Sequence, residues 1–324
     1  MLPNFTYVRP STLAEAVRLL SVPGAHAHGG GTDLLGCLRD RVFPAEVLVS
    51  LAGLAYLKGI RRTLDGSLAI GALTTLAEIA ASPEVQRDYP TLASAAASAA
   101  SPQLRNQGTI GGNLCQRPRC WYFRGDFHCA RKGGEKCFAV EGENQFHCVF
   151  GGDVCFIVHP SDPAPAVVAL EGMVRIAGPG GPRSVAAEEF FVLPSTDYTR
   201  ETVLAAGEVV TEVVLPPQPP GTRGAYRKVR ARGSWDFALA GAAIVVGLSG
   251  GRVARARIVL SGAAPVPWPV PEAAAALVGQ RLTPAVVERA AAIAVKGAQP
   301  LANNAYKVDL LRGAVAEALL EVAG

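Results

Sequence analysis

The sequence predicts an α+β protein in three pieces, and three observations carry that prediction. Short strand and helix patterns alternate through the first fifty residues. The run "LPPQPPGT" at 215–222, with four prolines in eight residues, suits neither a helix interior nor a central strand and reads as a linker. Beyond it an alternating apolar pattern gives way to alanine-rich helices from about residue 271. The pieces are 1–55, 56–216 and 221–324. A chain of 324 residues exceeds what one core ordinarily serves, which agrees with the division.

The elements follow in order. "FTYV" reads as a strand, and "STLAEAVRLL" as a helix with Ser11 or Thr12 as its cap and Glu15 placed to reach back. "AHAHGGGTDLLGCLRD" passes from a strand through glycines into a helix beginning near Asp33, and "AEVLVSL" is another strand. In the second piece, "GIRRT" and "SLAIGA" read as strands, "TTLAEIAAS" as a helix with a Thr75–Glu78 capping pair, and "TLASAAASAA" as a helix. Residues 103–160 are rich in glycine, charge and cysteine with little periodicity, an uncommon length of loop unless something functional orders it. "SDPAPAVVAL" reads as a helix and "MVRIAGPGGPRSVAA" as a hairpin. In the third piece, "AYRKVRAR", an apolar strand, the turn "SGGR" and "VARARIVLSG" form an antiparallel meander.

Composition narrows the function. A net charge of +4 with no Lys/Arg-rich run argues against nucleic acid. The longest near-continuous apolar run, "FALAGAAIVVGL", is too short for membrane insertion. The N-terminal stretch has no basic head followed by an apolar segment, so a cytoplasmic protein is expected, or a periplasmic one exported with a signal-bearing partner. Seven cysteines outside a secretory context point to metal or redox chemistry rather than disulfides.

Two glycine-rich turns stand out. "HGGGTDLL" lies between a strand and a helix, where glycines allow close ligand approach and free N–H groups suit a phosphate. Its spacing is neither G-x-G-x-x-G nor a P-loop. A second turn, "NQGTIGGNL" at 106–114, would let the pair clamp both ends of a pyrophosphate.

The motifs "GGGTDLL", "QLRNQGTIGGNL", "HPSDPAPA", "YRKVRARGSWDFALAG", "SGAAPVPW" and "NNAYKV", in this order, span essentially the whole chain. The sequence resembles the FAD-binding subunit of the xanthine dehydrogenase and aldehyde oxidase family of molybdenum hydroxylases. That resemblance implies a flavin fold of the vanillyl-alcohol-oxidase (PCMH) type in two subdomains, followed by a C-terminal α+β domain. It implies that Ala27, His28, Gly29, Gly30, Gly31, Thr32, Asp33 and Leu34 hold the FAD pyrophosphate. Thr109, Gly112 and Asn113 would support the pyrophosphate and ribityl region. Asp162 would bind ribityl or ribose hydroxyls, and Lys228 would lie near the isoalloxazine. A carboxylate accepts from hydroxyls, and a cation stabilises reduced flavin. On residues alone, Asp162 beside Ser161 reads as a helix cap. A bulky residue at Gly30 is expected to fill space meant for the pyrophosphate.

Within the segment 115–158, Cys120, Cys129, Cys137, Cys148 and Cys155 are 9, 8, 11 and 7 positions apart, never C-x-x-C. Spacing leaves three readings open: a four-thiolate zinc site, an iron–sulfur cluster and scattered free thiols. Resemblance favours the second. It is to the branch containing periplasmic-type aldehyde oxidoreductases and 4-hydroxybenzoyl-CoA reductase, whose insertion binds a [4Fe–4S] cluster. The implied ligands are Cys120, Cys129, Cys137 and Cys155; in the other assignment Cys148 replaces Cys129. Cys37 and Cys115 read as small apolar side chains, and His128 and His147 as solvated loop residues.

The implied function is electron transfer. Partners would be a small [2Fe–2S] subunit and a large molybdenum-cofactor subunit, with electrons passing between substrate and an external acceptor through this FAD- and [4Fe–4S]-containing chain. Alternatives are a reductase of the benzoyl-CoA type running in reverse, a stand-alone FAD oxidase, or a zinc-stabilised FAD-binding scaffold.

Overall fold

The computed structural model describes residues 1–324. β1 (Thr6–Val8), β2 (Ala25–His28) and β3 (Val47–Ser50) form a parallel sheet in the order β1-β3-β2, with the helices Leu13–Leu20 and Leu34–Arg39 as connections. The first helix begins at Thr12, whose hydroxyl accepts from the Glu15 N–H at 3.1 Å, while Glu15 accepts from the Ser11 N–H at 2.8 Å. One of the donors that every helix start leaves unpaired is thereby satisfied, and the residue before the cap is tied to the first turn.

A second, antiparallel sheet has the order β4-β5-β8-β6-β7, from β4 (Ile60–Arg62), β5 (Leu68–Gly71), β6 (Met173–Gly178), β7 (Gly181–Ala186) and β8 (Val209–Leu215). Its apolar face packs under the helices Leu76–Ala81, Pro90–Ser98 and Pro163–Ala169. The Thr75–Glu78 capping box opens the first of these, with both reciprocal hydrogen bonds present. The helix Pro163–Ala169 is buried along its whole length. It packs on the third sheet as well as the second piece, so it joins the two.

The third sheet is the expected meander, order β12-β11-β10-β9, from β9 (Thr222–Val229), β10 (Ala240–Ser249), β11 (Arg252–Ser261) and β12 (Trp268–Pro269). Gly250 and Gly251 both take positive φ, +57° and +75°, in the β10–β11 turn, which matches the twist of the flanking strands. The helices Pro284–Ala294 and Tyr306–Ala323 cover one face of this sheet. No helix is long and apolar enough to cross a membrane.

The segment 103–160 is more regular than its composition suggests. It contains short helices at Ile110–Leu114 and Trp121–Arg124, a 3₁₀ turn at Ala130–Lys132, and part of the helix Pro102–Arg105. Half of the second glycine turn is therefore helical, started by Thr109, whose hydroxyl accepts from the Gly112 N–H at 3.2 Å.

Candidate functional site

The two glycine turns face each other across one cavity. Its wall includes Ala27, Gly29, Gly30, Gly31, Thr32, Asp33 and Leu34 from the first turn and Thr109, Gly112 and Asn113 from the second. His28 stands outside that lining, edge-on to Tyr7 at 6.1 Å. The N–H groups of Gly30, Gly31 and Thr32 donate to no protein acceptor, and Gly31 takes φ +71°. A β-carbon on Gly30 would stand 1.7 Å from the Gln107 carbonyl oxygen. The glycine is thus required by contact between the turns, and a side chain there strikes backbone before it fills any ligand space.

Asp33 is the anionic centre of an arginine cluster. Its Oδ2 accepts from the Arg117 N–H at 2.8 Å, and its Oδ1 accepts from Arg124 at 2.7 Å and Arg119 at 2.9 Å. The turn thus offers a ligand backbone donors and the surplus positive charge of these arginines. Arg117 and Arg119 line the same cavity. The arginines were invisible as site residues in sequence, although "QRPRCWYFR" follows the second turn directly.

A cleft continues from Gly31, Thr32 and Asn113 towards Asp162, Trp235 and Phe237. Ser161, not Asp162, makes the capping bond: its hydroxyl accepts from the Ala164 N–H at 3.0 Å and donates to Asn113 Oδ1 at 2.5 Å. Asp162 is left for other partners. Its Oδ1 accepts from the Tyr226 hydroxyl at 2.7 Å and its Oδ2 from Lys228 Nζ at 2.8 Å. Burial pushes the Asp162 carboxyl up, while Lys228 and Tyr226 favour its anion. Both partners come from β9 of the third sheet and stand behind Asp162, outside the lining of the cleft. Trp235 and Ala100 hold left-handed φ values of +53° and +47° at the cleft and share a hydrogen bond, Trp235 N–H to Ala100 carbonyl at 3.1 Å. Non-glycine residues adopt that region only at some cost.

All seven cysteines are free thiols. Cys120, Cys129, Cys137 and Cys155 line one narrow cavity of about 10 Å³, with Tyr122, Phe123, Ile157, Arg131 and His147 as further walls. Cys148 is absent from that lining and packs beside Gly152, its pKa pushed up to about 12 by burial. No three His, Cys, Asp or Glu side chains converge as ligands of a single ion. His147 is buried, with Nε2 3.3 Å from Cys120 Sγ, which corrects the solvated reading of this residue. His128 is exposed. Cys37 is fully buried among Val42, Phe123 and Cys129, and burial raises its pKa to about 11. Cys115 lines the glycine-turn cavity, its pKa raised to about 12 by burial.

An apolar cavity formed by Trp121, Phe146, Ile157, His159 and Leu239 lies between the two sites. It shares Arg119, Asp236 and Phe237 with the cleft and Cys120, His147 and Ile157 with the cysteine cavity.

Residues 3–218 match the model of the FAD binding domain in molybdopterin dehydrogenase, and residues 224–322 that of the CO dehydrogenase flavoprotein C-terminal domain. The chain belongs to the FAD-binding flavoproteins of the molybdopterin dehydrogenases. It is 38% identical to the aldehyde oxidoreductase FAD-binding subunit PaoB of Escherichia coli, with 98% of each chain covered. It is 32% identical to the carbon monoxide dehydrogenase medium chain of Hydrogenophaga pseudoflava, covering 92% of this chain and 88% of that one. A solved structure of the Hydrogenophaga pseudoflava enzyme superposes with a TM-score of 0.78 at 31% identity, over 100% of this chain and 98% of the other. As a flavoprotein of this family, the chain is an oxidoreductase subunit that binds FAD. The residues present fit that cofactor: unpaired backbone donors and arginines stand at the glycine turns, and a cleft of continuous wall leads from them to Asp162.

Proposed function

We propose that this flavoprotein is the electron-transfer subunit of a heteromeric molybdenum hydroxylase and carries a [4Fe–4S] cluster besides FAD. Its partners in this reading are a small [2Fe–2S] subunit and a large molybdenum-cofactor subunit; relatives named as subunits and medium chains support that assembly. The linker at 215–222 separates an FAD-binding part, with subdomains 1–55 and 56–216, from the C-terminal domain. The two model matches, 3–218 and 224–322, change over at it and support a boundary there.

The single observation that carries the cluster is the common cavity of Cys120, Cys129, Cys137 and Cys155, with Cys148 outside it. One zinc ion needs four ligand atoms at roughly 2.0–2.3 Å from one point, whereas no three of these side chains converge in that way. A cubane cluster is the larger group that suits thiols spaced in this way. FAD and the cluster supply electron storage; the chain's residues do the rest. The glycine turns would fix the pyrophosphate through backbone donors, Ser161 and Asn113 brace the cleft, and Lys228 holds a positive charge behind Asp162. Phe123, Tyr122 and Ile157 keep water from the thiols.

The test compares Cys129→Ala with Cys148→Ala in the full chain. Cys148→Ala is expected to keep about four irons and the reduced-state EPR signal, and Cys129→Ala to lose or degrade both. Loss only in Cys148→Ala would reverse the ligand assignment. A wild-type chain prepared anaerobically, with iron and sulfide supplied, that never binds iron would end the cluster reading.

A further inference from the structure

Arg131 is a buried cation with an unusual position. It follows Cys129 on the 3₁₀ turn Ala130–Lys132, and its side chain is 1% exposed. Its Nε donates to Cys155 Sγ at 3.5 Å, and its Nη1 donates to Glu201 Oε1 at 2.6 Å. Its Nη2, buried like the rest, has no protein partner although the residue lines the cysteine cavity. Burying a guanidinium is expensive unless it is paired and hydrogen-bonded, and one carboxylate satisfies only part of its donor fork. Glu201 is shared: its Oε2 also holds Arg117 Nε at 2.8 Å, and the Arg117 N–H in turn donates to Asp33 on the glycine turn. A continuous chain of ion pairs and hydrogen bonds therefore runs Cys155–Arg131–Glu201–Arg117–Asp33.

We infer that Arg131 is a positioning residue that sets the reduction potential of the cysteine-bound cluster, with Glu201 limiting its effect. This rests on the cluster reading above. Reduction adds one electron, and so one negative charge, to this narrow cavity. The guanidinium neither gains nor loses a proton in that change. Its fixed charge, beside Cys155 and with a spare donor pair, stabilises the reduced form more than the oxidised one, as charge-assisted hydrogen bonds to sulfur do. Glu201, 6% exposed, is the opposing charge and draws the potential the other way.

Redox titration followed by EPR, with iron counted in each sample, tests this on the full chain. Arg131→Gln is expected to disfavour reduction about tenfold, which is about 59 mV for a one-electron couple. Arg131→Lys is expected to recover most of that shift, since it restores the charge. Glu201→Gln is expected to move the potential in the opposite direction. A purely structural role would lower iron content without opposite shifts in the two variants. Arg131→Gln with full iron and an unmoved potential would overturn the inference and leave the cluster standing. If Arg131→Gln loses its iron, Glu201→Gln decides, and an unshifted potential there overturns the inference. Absence of iron from wild type overturns the cluster reading and this inference with it.

Discussion

Gly30 shows how little space separates the two glycine turns. With the Gln107 carbonyl 1.7 Å from where a β-carbon would stand, any larger residue must push one turn off the other. Gly30→Val is expected to lose FAD and to cost about 1–3 kcal/mol of stability, as overpacking against a rigid neighbour does. Gly313→Ala is the control. That glycine sits in the helix Tyr306–Ala323 with nothing within 4 Å of an added β-carbon. It should keep FAD and gain up to about 1 kcal/mol. FAD absorbance and denaturant midpoints read both variants, and a Gly30→Val protein with full flavin and an unchanged midpoint would contradict the clasp. The Ser161–Asp162 pair makes a related point. Side by side in sequence, both are good caps, and only the three-dimensional partners Tyr226 and Lys228, more than sixty positions away, free Asp162 from that role.

Among the elements, the cysteine segment owes its order to distant strands of chain. Asn304, fully buried, donates through Nδ2 to the carbonyls of His147 and Cys148, both at 3.1 Å, and accepts from the Leu301 N–H at 2.7 Å. Lys307 is equally buried and donates to the His147 carbonyl at 3.0 Å, and burial lowers its pKa to about 8. Asn304→Leu would strand the Cys148 carbonyl and the Leu301 N–H, each unmet group costing about 1–3 kcal/mol. Faster hydrogen exchange across residues 144–150 and a lower denaturant midpoint are the expected outcome; unchanged exchange there would show that other bonds hold the segment. This explains what was legible in sequence and what was not. Caps such as Thr12–Glu15 and Thr75–Glu78, the hairpin at 173–186 and the glycine turns are local, and their residues announce them. The pairs that shape the cysteine cavity, Arg131–Glu201 and Asn304–Cys148, are 70 and 156 positions apart. No window of sequence brings such partners together. The strand Val209–Leu215 escaped notice for a simpler reason: it runs straight into the proline-rich linker.

For the molecule as a whole, the carboxylates in and around the cleft are already engaged, Asp40 with Arg39 and Asp236 with the N–H groups of Arg232 and Phe237. Asp33 is held by three arginines and Asp162 by Lys228 and Tyr226. His159 Nδ1 accepts from the Ser161 N–H at 3.4 Å, which assigns the hydrogen to Nε2, and burial lowers its pKa to about 4. A neutral imidazole of that kind is a poor base at pH 7. The purified chain is therefore expected to pass electrons to an acceptor once reduced and to oxidise no aldehyde or N-heterocycle by itself. Measurable substrate turnover by the lone subunit would contradict this expectation.

The dependence of the cysteine segment on Asn304 also has a consequence in time. During synthesis Cys148 leaves the ribosome 156 residues ahead of the asparagine that ties down its carbonyl. At about 5–20 residues per second, that interval is roughly 8–30 s. Through it the four cavity thiols belong to an unfinished nascent chain. Closure of the segment around them is thus a late event of translation.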